Sequence, residues 1–413
     1  MKRNPLFARS AAALAAIPLA MAMGQAHAQT ANVTLYGIVD VGVQHVNGVK
    51  GGSITQVASG IMEGSRWGLR GTEDLGGGYK TMFVLENRFE ADTGGLSNRP
   101  LSGSQLPDRF TAGLLPSVQA ALNGAVGPSL GVNVPGRLFD RQAFVGLVTP
   151  FGAILAGRQY TPAFEISNRF DAFANATAAS PGQLASIPAG IDIRESNSVM
   201  YRVELQGFYG SAYYAFGESA ASTKAGRLVG INGGYQVKQF GVGIGYNERT
   251  NSAGQKSLNS LIMGGNFDAG LANIFAMYGV LKEPNGSSAP ELRAGLIGGG
   301  VPAILVDTGI LPRFMQDSRL YHVGARIPLG VGQLTVGYSR LDDRRATNAD
   351  SESYGVAYTY PLSKRTDLNA AVTKVNNNAN AQVLPGGNGF LGGVSAYAGK
   401  DVTSYQFSLR HKF

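Results

Sequence analysis

The chain has 413 residues, a formal net charge of +8 and no cysteine. The absence of cysteine excludes disulfide bonds and thiol chemistry. Charged residues make up 15% of the chain, against about 25% in typical globular proteins. The basic residues are scattered, with no cluster longer than "RHK", which argues against nucleic acid as a partner.

The first 28 residues have the pattern of a cleaved secretory signal peptide. Lys2, Arg3 and Arg9 give a positive start, "SAAALAAIPLAMAMG" is apolar, and "AHA" at 26–28 fits the small-x-small cleavage pattern. The alternative is a short membrane anchor, although a spanning helix needs roughly 20 apolar residues. Cleavage would leave residues 29–413 with a charge of +5, and we expect export through the Sec route.

From residue 33 onward, apolar and polar residues alternate along many short segments. In "VTLYGIVDVGV", for example, Val33, Leu35 and Val39 lie opposite Thr34 and Asp40. Such alternation is typical of a strand that has an apolar and a polar face. Sixteen strands are predicted in this way, at 33–46, 65–74, 79–91, 138–148, 151–159, 196–204, 207–218, 226–237, 240–249, 258–268, 271–283, 317–328, 331–341, 349–361, 364–376 and 401–413.

The connections between these predicted strands alternate in length. Short turns such as "DLGGG", "TPFG" and "YPLSK" alternate with mostly longer connections, the longest near 92–137, 160–195, 284–316 and 377–400. Short periplasmic turns and long extracellular loops are typical of an outer-membrane barrel. A secreted β-sandwich or β-helix is the alternative, but it does not need this alternation. The sequence therefore predicts an all-β, transmembrane antiparallel barrel of about sixteen strands over residues 29–413.

The final segment, "TSYQFSLRHKF", alternates up to its last residue. Tyr405, Phe407, Leu409 and Phe413 share one face, and we expect them to form a C-terminal assembly signal. Every backbone group must be paired in hydrocarbon, and a closed barrel has no free edge. The last strand is therefore predicted to pair with the first, with Phe413 in the interfacial aromatic girdle.

Several stretches resemble the Gram-negative general diffusion porins in the form common in β-proteobacteria. These are "VTLYGIVDVGV", "SRWGLRGTEDLGGGYKTMFVLE", "DRQAFVGLVTPFGAILAGRQYTP", "YPLSKRTDLNAAV" and "FSLRHKF". The resemblance implies a homotrimer in the outer membrane of a Gram-negative bacterium, which passes small hydrophilic solutes and inorganic ions by diffusion. It also implies contact with outer-membrane lipid and lipopolysaccharide, and with periplasmic chaperones and the barrel-assembly machinery during biogenesis.

The resemblance further implies a constriction with basic residues on the barrel wall. Arg66 has the inward parity opposite a tryptophan, Arg141 matches the arginine of this family between a loop and a strand, and Arg194 shares the inward parity of its strand. Inward placement is favoured because an arginine facing lipid near mid-membrane costs roughly 2–4 kcal/mol. Arg70 and Arg158 are further candidates, with the alternative that they merely line the wall or pair with a neighbouring carboxylate.

Porins of this kind also fold their third external loop into the pore, with acidic residues facing the basic wall. In this chain the third loop is predicted at 160–195, with Glu165 and Asp171 as its acidic residues at the constriction. The alternative is that both are solvated charges tied to Arg169. Because arginine outnumbers carboxylate among these residues, a weak preference for anions is expected.

The second and sixth loops depart from the family pattern by their length. Loops 92–137 and 284–316 include apolar runs such as "AGLIGGGVPAILV". Three expectations follow for them: they cover the mouth, they form contacts between subunits, or they contain a short helix.

Catalytic chemistry is not supported by the sequence. Outside the signal segment the histidines are His45, His322 and His411, with no metal-spaced pair, and neither "GxSxG" nor "HExxH" occurs. We therefore expect no catalytic residue, no cofactor and no metal. The remaining alternative to a general diffusion channel is a substrate-selective outer-membrane channel or a barrel adhesin.

Overall fold

The structure is a computed structural model that describes residues 32–129, 137–187, 190–220 and 222–413. The expected signal peptide lies outside the described residues. Within them, sixteen antiparallel strands form one sheet that closes on itself. The strands are β1 (Asn32–Val49), β2 (in two segments, Gly52–Ser59 and Arg66–Gly76), β3 (Tyr79–Arg88), β4 (Gln142–Thr149), β5 (Gly152–Tyr160), β6 (Arg194–Leu205), β7 (Phe208–Ala215), β8 (Leu228–Gln236), β9 (Phe240–Thr250), β10 (Lys256–Asp268), β11 (Asn273–Lys282), β12 (Asp317–Leu329), β13 (Gly332–Asp343), β14 (Ser351–Pro361), β15 (Thr366–Asn377) and β16 (Val402–Lys412).

The sixteen strands predicted from alternation are confirmed, with most edges shifted by one to three residues and two larger differences. β4 begins at Gln142 rather than at residue 138, and the first segment of β2, Gly52–Ser59, was not predicted. That segment extends a hairpin with β1, which runs on to Val49. This segment, "GSITQVAS", does not alternate regularly between apolar and polar residues, and it was therefore not predicted as a strand.

The barrel closes through its first and last strands. β16 pairs with β15 on one side and with β1 on the other, in a register that joins Val41 to Leu409. The pairing continues beyond β16, because the N–H and C=O of Phe413 bond to the C=O and N–H of Gly37, each at 3.1 Å. The predicted closure is confirmed, and the described strands leave no free sheet edge.

β2 is interrupted by residues 60–65, which turn into the barrel. Gly60 adopts a φ of +78°, which favours glycine, and its N–H bonds to the C=O of Asp40. The Asp40 side chain then accepts hydrogen bonds from the N–H groups of Met62 (2.8 Å) and Glu63 (2.7 Å). This turn places the Glu63 side chain in the interior of the barrel.

The connections at one end are short turns, and several at the other end are long and partly helical. Loop two contains α1 (Asp108–Thr111) and α2 (Pro116–Val126), followed by a 3-10 turn at Gly127–Ser129. Loop three contains α3 (Pro162–Phe170) and α4 (Pro181–Leu184). Loop six contains α5 (Ala289–Gly298) and α6 (Ala303–Leu305), then a π turn at Val306–Ile310 and a 3-10 turn at Leu311–Phe314. Loop eight carries a small hairpin of Val383–Leu384 with Gly393–Val394.

None of the helices in the described ranges is long and apolar enough to cross a membrane.

The apolar core lies inside the barrel, between loop three and the inner wall. Ile166 and Phe170 of α3 and Leu184 of α4 are buried against wall residues such as Ile262 and Leu320. Glycines on the inner wall make this close approach possible, since a Cβ there would collide with the loop. At Gly264 a Cβ would lie 2.6 Å from Phe170 Cβ, and similar contacts with loop three occur at Gly230, Gly243, Gly245, Gly324, Gly337 and Gly355.

Candidate functional site

Loop three narrows the barrel and is anchored on both sides of the lumen. It leaves β5 after Tyr160 and packs α3 on the wall of β8 to β11. Its middle part reaches the opposite wall, where the N–H of Thr177 bonds to the C=O of Ile61 (2.9 Å) and that of Ala178 bonds to Gln406 Oε1 (3.0 Å). These bonds fix the loop across the pore.

The space beside this loop is a central cavity of about 1000 Å³ whose border is strongly basic. Its border includes three glutamates, Glu63, Glu165 and Glu204. Against them stand eight arginines: Arg66, Arg88, Arg141, Arg169, Arg194, Arg202, Arg326 and Arg410. The side chains on the border therefore carry an excess of five positive charges (8 − 3). Glu86, Glu90 and Asp367 pair with four of these arginines just behind the border and reduce the excess to two (5 − 3), which is still positive.

Arg66 and Arg141, two of the predicted wall arginines, share one carboxylate. Arg141 Nε donates to Glu86 Oε1 at 2.7 Å, and Arg66 Nε lies 3.6 Å from Glu86 Oε2. Arg66 also donates to Glu63 at 2.8 Å, and Glu63 accepts from Arg410 at 2.7 Å. Arg410 also donates to Asp367 at 2.8 Å, and Lys412 Nζ lies 2.7 Å from Glu63. The structure thus brings these arginines together in one network, in which Glu63, Glu86 and Asp367 hold three guanidinium groups and one ammonium group.

Arg194, the third predicted wall arginine, joins the network through a tyrosine. Its Nη2 donates to the hydroxyl of Tyr160 at 3.2 Å, and the same hydroxyl accepts from Arg141 Nη2 at 3.0 Å. The guanidinium also lies over the Tyr160 ring, 4.7 Å from its centroid. Arg66, Arg141 and Arg194 are therefore linked side by side along the wall.

The two further candidates, Arg70 and Arg158, lie away from this network. Arg70 stacks over the ring of Tyr36 at 5.1 Å and borders neither of the two large cavities in the described part of the chain. Arg158 lies at a β-bulge of β5, donates to Ser196 Oγ at 3.1 Å, and borders an outer cavity instead of the central one.

Glu165, one of the two predicted loop acids, borders the central cavity but is bound to the wall. Its carboxylate pairs with Arg202 of β6 and accepts a hydrogen bond from Asn232 Nδ2 of β8 at 2.9 Å. The neighbouring Arg169 stacks on the ring of Tyr209, 4.2 Å from its centroid. Glu165 and Arg169 therefore do not form the solvated pair that was the alternative: Glu165 pairs with Arg202, and Arg169 stacks on Tyr209.

Asp171, the other predicted loop acid, does not face the pore, which corrects the sequence-based expectation. Its side chain is buried, and it accepts hydrogen bonds from the N–H groups of Phe173 and Asn175 (both 2.8 Å) and from Ser180 Oγ (2.9 Å). His322 packs beside it and accepts the N–H of Ala172 at 3.0 Å. Asp171 thus shapes the bend of loop three and adds no charge to the cavity surface.

Loops two and six form a helical roof, which we define as residues 105–126 and 289–314. Their buried side chains make one apolar cluster, in which the rings of Phe110 and Phe314 lie 4.3 Å apart. Arg313 of loop six donates to the C=O of Ala112 in loop two at 2.7 Å. Both loops contain helices, which was one of the three expectations for them. Their apolar runs pack against each other.

An outer cavity of about 1200 Å³ lies under this roof. It meets the central cavity at residues 190–194, and Arg194 borders both spaces. Arg249 on its border is neutralised by Asp192 (3.0 Å) and by Glu195. Glu283, at the start of loop six, accepts a hydrogen bond from the N–H of Gln316 near the end of the same loop. Burial raises the pKa of the Glu283 carboxyl.

Four arginines on the border of the central cavity were not predicted as constriction residues: Arg88, Arg202, Arg326 and Arg410. Strand parity signals three of them: Arg410 alternates with outward Leu409 and His411, and Arg202 and Arg326 fall on the inward parity of β6 and β12. Parity alone gives no height along the pore, however. Only the stagger of neighbouring strands brings these arginines to one cavity.

Metal chemistry has no support in the described ranges, where no group of three or more His, Asp or Glu side chains lies close enough to hold an ion. The site offers hydrogen-bond donors and positive charge around an open space. Chemically, such a site can attract and orient anions as they pass.

Comparisons with known proteins agree with this geometry. The family model described as Gram-negative porin matches residues 10–380. The chain is 27% identical to outer membrane porin protein 32 of Delftia acidovorans, over 97% of this chain and 99% of that protein. It is 28% identical to an outer membrane porin protein of Bordetella pertussis, over 86% of this chain and 92% of that protein.

Solved structures show the same fold. The structure described as an anion-selective porin from Comamonas acidovorans superimposes with a TM-score of 0.69 and 25% identity, covering 93% of this chain and all of that one. OmpT of Vibrio cholerae gives a TM-score of 0.60 at 14% identity, covering 94% of this chain and 99% of that one. The chain belongs to the Gram-negative porin family, whose members are β-barrel channels of the outer membrane and not enzymes.

Proposed function

We propose that this porin is a passive, water-filled channel for small hydrophilic solutes and ions, with a modest preference for anions. The observation that carries the proposal is the border of the central cavity, with its eight arginines and three glutamates. Two unit charges about 8 Å apart interact by roughly 0.5 kcal/mol in water, and by more beside a low-dielectric wall. A cluster of this size is therefore sufficient to bias the passage of small ions.

The positions of the carboxylates support the sign of this preference. Glu165 is paired with Arg202, and Asp171 is buried beneath loop three. The loop therefore presents no unpaired carboxylate towards the wall arginines at these two positions, and it adds Arg169 to the cavity border. The resulting field is net positive around the pore, rather than a transverse field between an acidic loop and a basic wall.

We further propose that residues 1–28 are removed on export and that the mature chain assembles as a homotrimer. A solved porin of the same fold, OmpT of Vibrio cholerae, is described in a trimer form. A barrel whose apolar band packs against its neighbours should run as a heat-sensitive oligomer on mild-detergent gels. Cross-linking in intact membranes that yields only monomer would contradict the trimer.

The test of anion preference is the zero-current potential of the reconstituted channel in a salt gradient. Replacing Arg66, Arg141 and Arg194 together by serine should move this potential towards cation selectivity. The shift should be larger at low salt, because the screening length is only about 10 Å at 0.1 M. Arg293→Ser is the matched control, since this exposed arginine pairs with Asp307 on the roof.

An unchanged zero-current potential at low salt, in a triple variant that folds and forms oligomers, would reject the proposed filter. Glu165→Gln should move the potential in the opposite direction, towards anions. Competition by added solutes separates the two kinds of channel: a substrate-selective channel loses single-channel conductance when its substrate is present, whereas a general diffusion channel does not.

A further inference from the structure

Tyr160 stands where the chain leaves the barrel wall to become the pore loop. It is the last residue of β5, and α3 begins two residues later at Pro162. Its ring stacks on the ring of Phe164 in α3, with centroids 5.3 Å apart and planes inclined by 21°. Tyr160 therefore contacts the loop and the wall at the same time.

The hydroxyl of Tyr160 is shared by two arginines of the central cavity. It accepts hydrogen bonds from Arg141 Nη2 at 3.0 Å and from Arg194 Nη2 at 3.2 Å. A phenol oxygen has the two lone pairs that this arrangement needs. The shared acceptor holds two like charges next to each other, which would otherwise repel.

The two arginines depend on this hydroxyl to different degrees. Arg141 is also held by Glu86 at 2.7 Å. Arg194 has no such anchor: its Nε is buried without a hydrogen-bond partner among the described residues, and its guanidinium lies over the Tyr160 ring. Arg194 also borders the outer cavity, so a released side chain has room to turn away from the constriction.

We propose that Tyr160 is a positioning residue of the arginine filter, which acts by fixing the guanidinium of Arg194 beside that of Arg141. The proposal rests on the anion preference proposed above. Without the hydroxyl, the side chain of Arg194 would move between positions in the central cavity and positions in the outer cavity. The field in the central cavity beside loop three would then weaken, although the number of charges stays the same.

The direct test is Tyr160→Phe, which removes the hydroxyl and keeps the ring that stacks on Phe164. We expect the chloride-over-potassium permeability ratio to fall about twofold, because one unit charge about 8 Å from a passing ion contributes roughly 0.5 kcal/mol in water. The heat-sensitive oligomer and the single-channel conductance should be unchanged. Tyr213→Phe is the matched control, because this buried tyrosine of β7 bonds to the main-chain oxygen of Glu195.

A second background separates positioning from a general structural effect. In an Arg194→Gln channel, Tyr160→Phe should cause no further change in the permeability ratio. An equal fall in both backgrounds, or no fall in the natural background, would overturn the positioning role. If serine at Arg66, Arg141 and Arg194 also leaves selectivity unchanged, the proposed anion filter itself fails. If that triple variant responds and Tyr160→Phe does not, only the positioning role is lost.

Discussion

The aromatic ring of Phe413 packs over Gly37 at the seam between the last and first strands. A Cβ added to Gly37 would lie 2.3 Å from Cζ of Phe413 and 2.8 Å from the C=O of Arg66. The main chains of Gly37 and Phe413 also exchange two hydrogen bonds of 3.1 Å. The glycine therefore provides the space in which the final aromatic side chain closes the barrel.

Gly37→Ala should impair closure of the barrel, because the added methyl group overlaps the ring and a main-chain oxygen. Overpacking of this kind costs about 1–3 kcal/mol. We expect less folded, heat-modifiable protein in outer membranes, and a similar loss when Phe413 is deleted. Gly233→Ala is the control, since a Cβ there would meet no atom closer than 3.7 Å. Equal amounts of folded protein for Gly37→Ala and the control would contradict the role of the seam.

The glycines of the inner wall should control the position of loop three. Gly264→Val would place its side chain against Phe170, whose Cβ lies 2.6 Å from the position of an added Cβ. We expect the loop to shift into the pore and the single-channel conductance to change, while the barrel remains folded. Gly233→Val, on the outer face of the wall beside the exposed Ile244, adds the same side chain away from the loop and should leave the conductance unaltered. A conductance that is the same in both variants would show that the loop does not depend on this contact.

The helical roof should open when its apolar cluster is weakened. Phe110 is fully buried in this cluster, and Phe→Ala substitutions in cores cost about 3–5 kcal/mol. Phe110→Ala should therefore speed proteolytic cleavage of loops two and six in intact membranes, with the barrel still heat-modifiable. Leu115→Ala is the control, because Leu115 is 68% exposed. Cleavage at equal rates in the two variants would mean that the roof is held by other contacts.

Loop six should lose protection as the pH rises. Burial raises the pKa of Glu283 above the ordinary 4.5 of a glutamate, so the folded loop binds its proton more tightly than the unfolded loop does. The resulting stabilisation is complete below about pH 4.5 and is lost as the pH rises through the raised value. Hydrogen exchange of residues 283–316 should therefore quicken over this range.

Glu283→Gln should remove this pH dependence, since the amide does not titrate. Glu291→Gln, at an exposed position of the same loop, should keep it. A slope that persists in Glu283→Gln would assign the effect to another group.

The number and order of the strands followed from the sequence because lipid and water impose period-2 alternation along every spanning segment. In β16, for example, the apolar residues Tyr405, Phe407 and Leu409 alternate with polar ones because their side chains are exposed on the outer face of the barrel. The signal is local, since each residue alternates against its immediate neighbours. The extension Gly52–Ser59 was missed because it carries no such contrast.

The site was predictable only in part. Parity indicated which arginines point inward, among them Arg66 and Arg194, but it could not show that Tyr160 joins Arg141 to Arg194. It also could not distinguish Glu165, which borders the cavity, from Asp171, which is buried. Glu165 lies in α3 and Asp171 directly follows that helix, so the period-2 parity of strands gives no direction for either side chain.

The sequence by itself determined the barrel, its closure and the alternation of turns and loops, because these depend on neighbours along the chain and on the membrane. The tertiary structure alone decided which charges meet. Arg410 reaches Glu63 across 347 positions of sequence, through the pairing of β16 with β1 and the inward turn at 60–65. Strand stagger sets the height of each side chain, and the inner-wall glycines set the path of loop three. Contacts between distant residues follow from that three-dimensional arrangement, which no local pattern encodes.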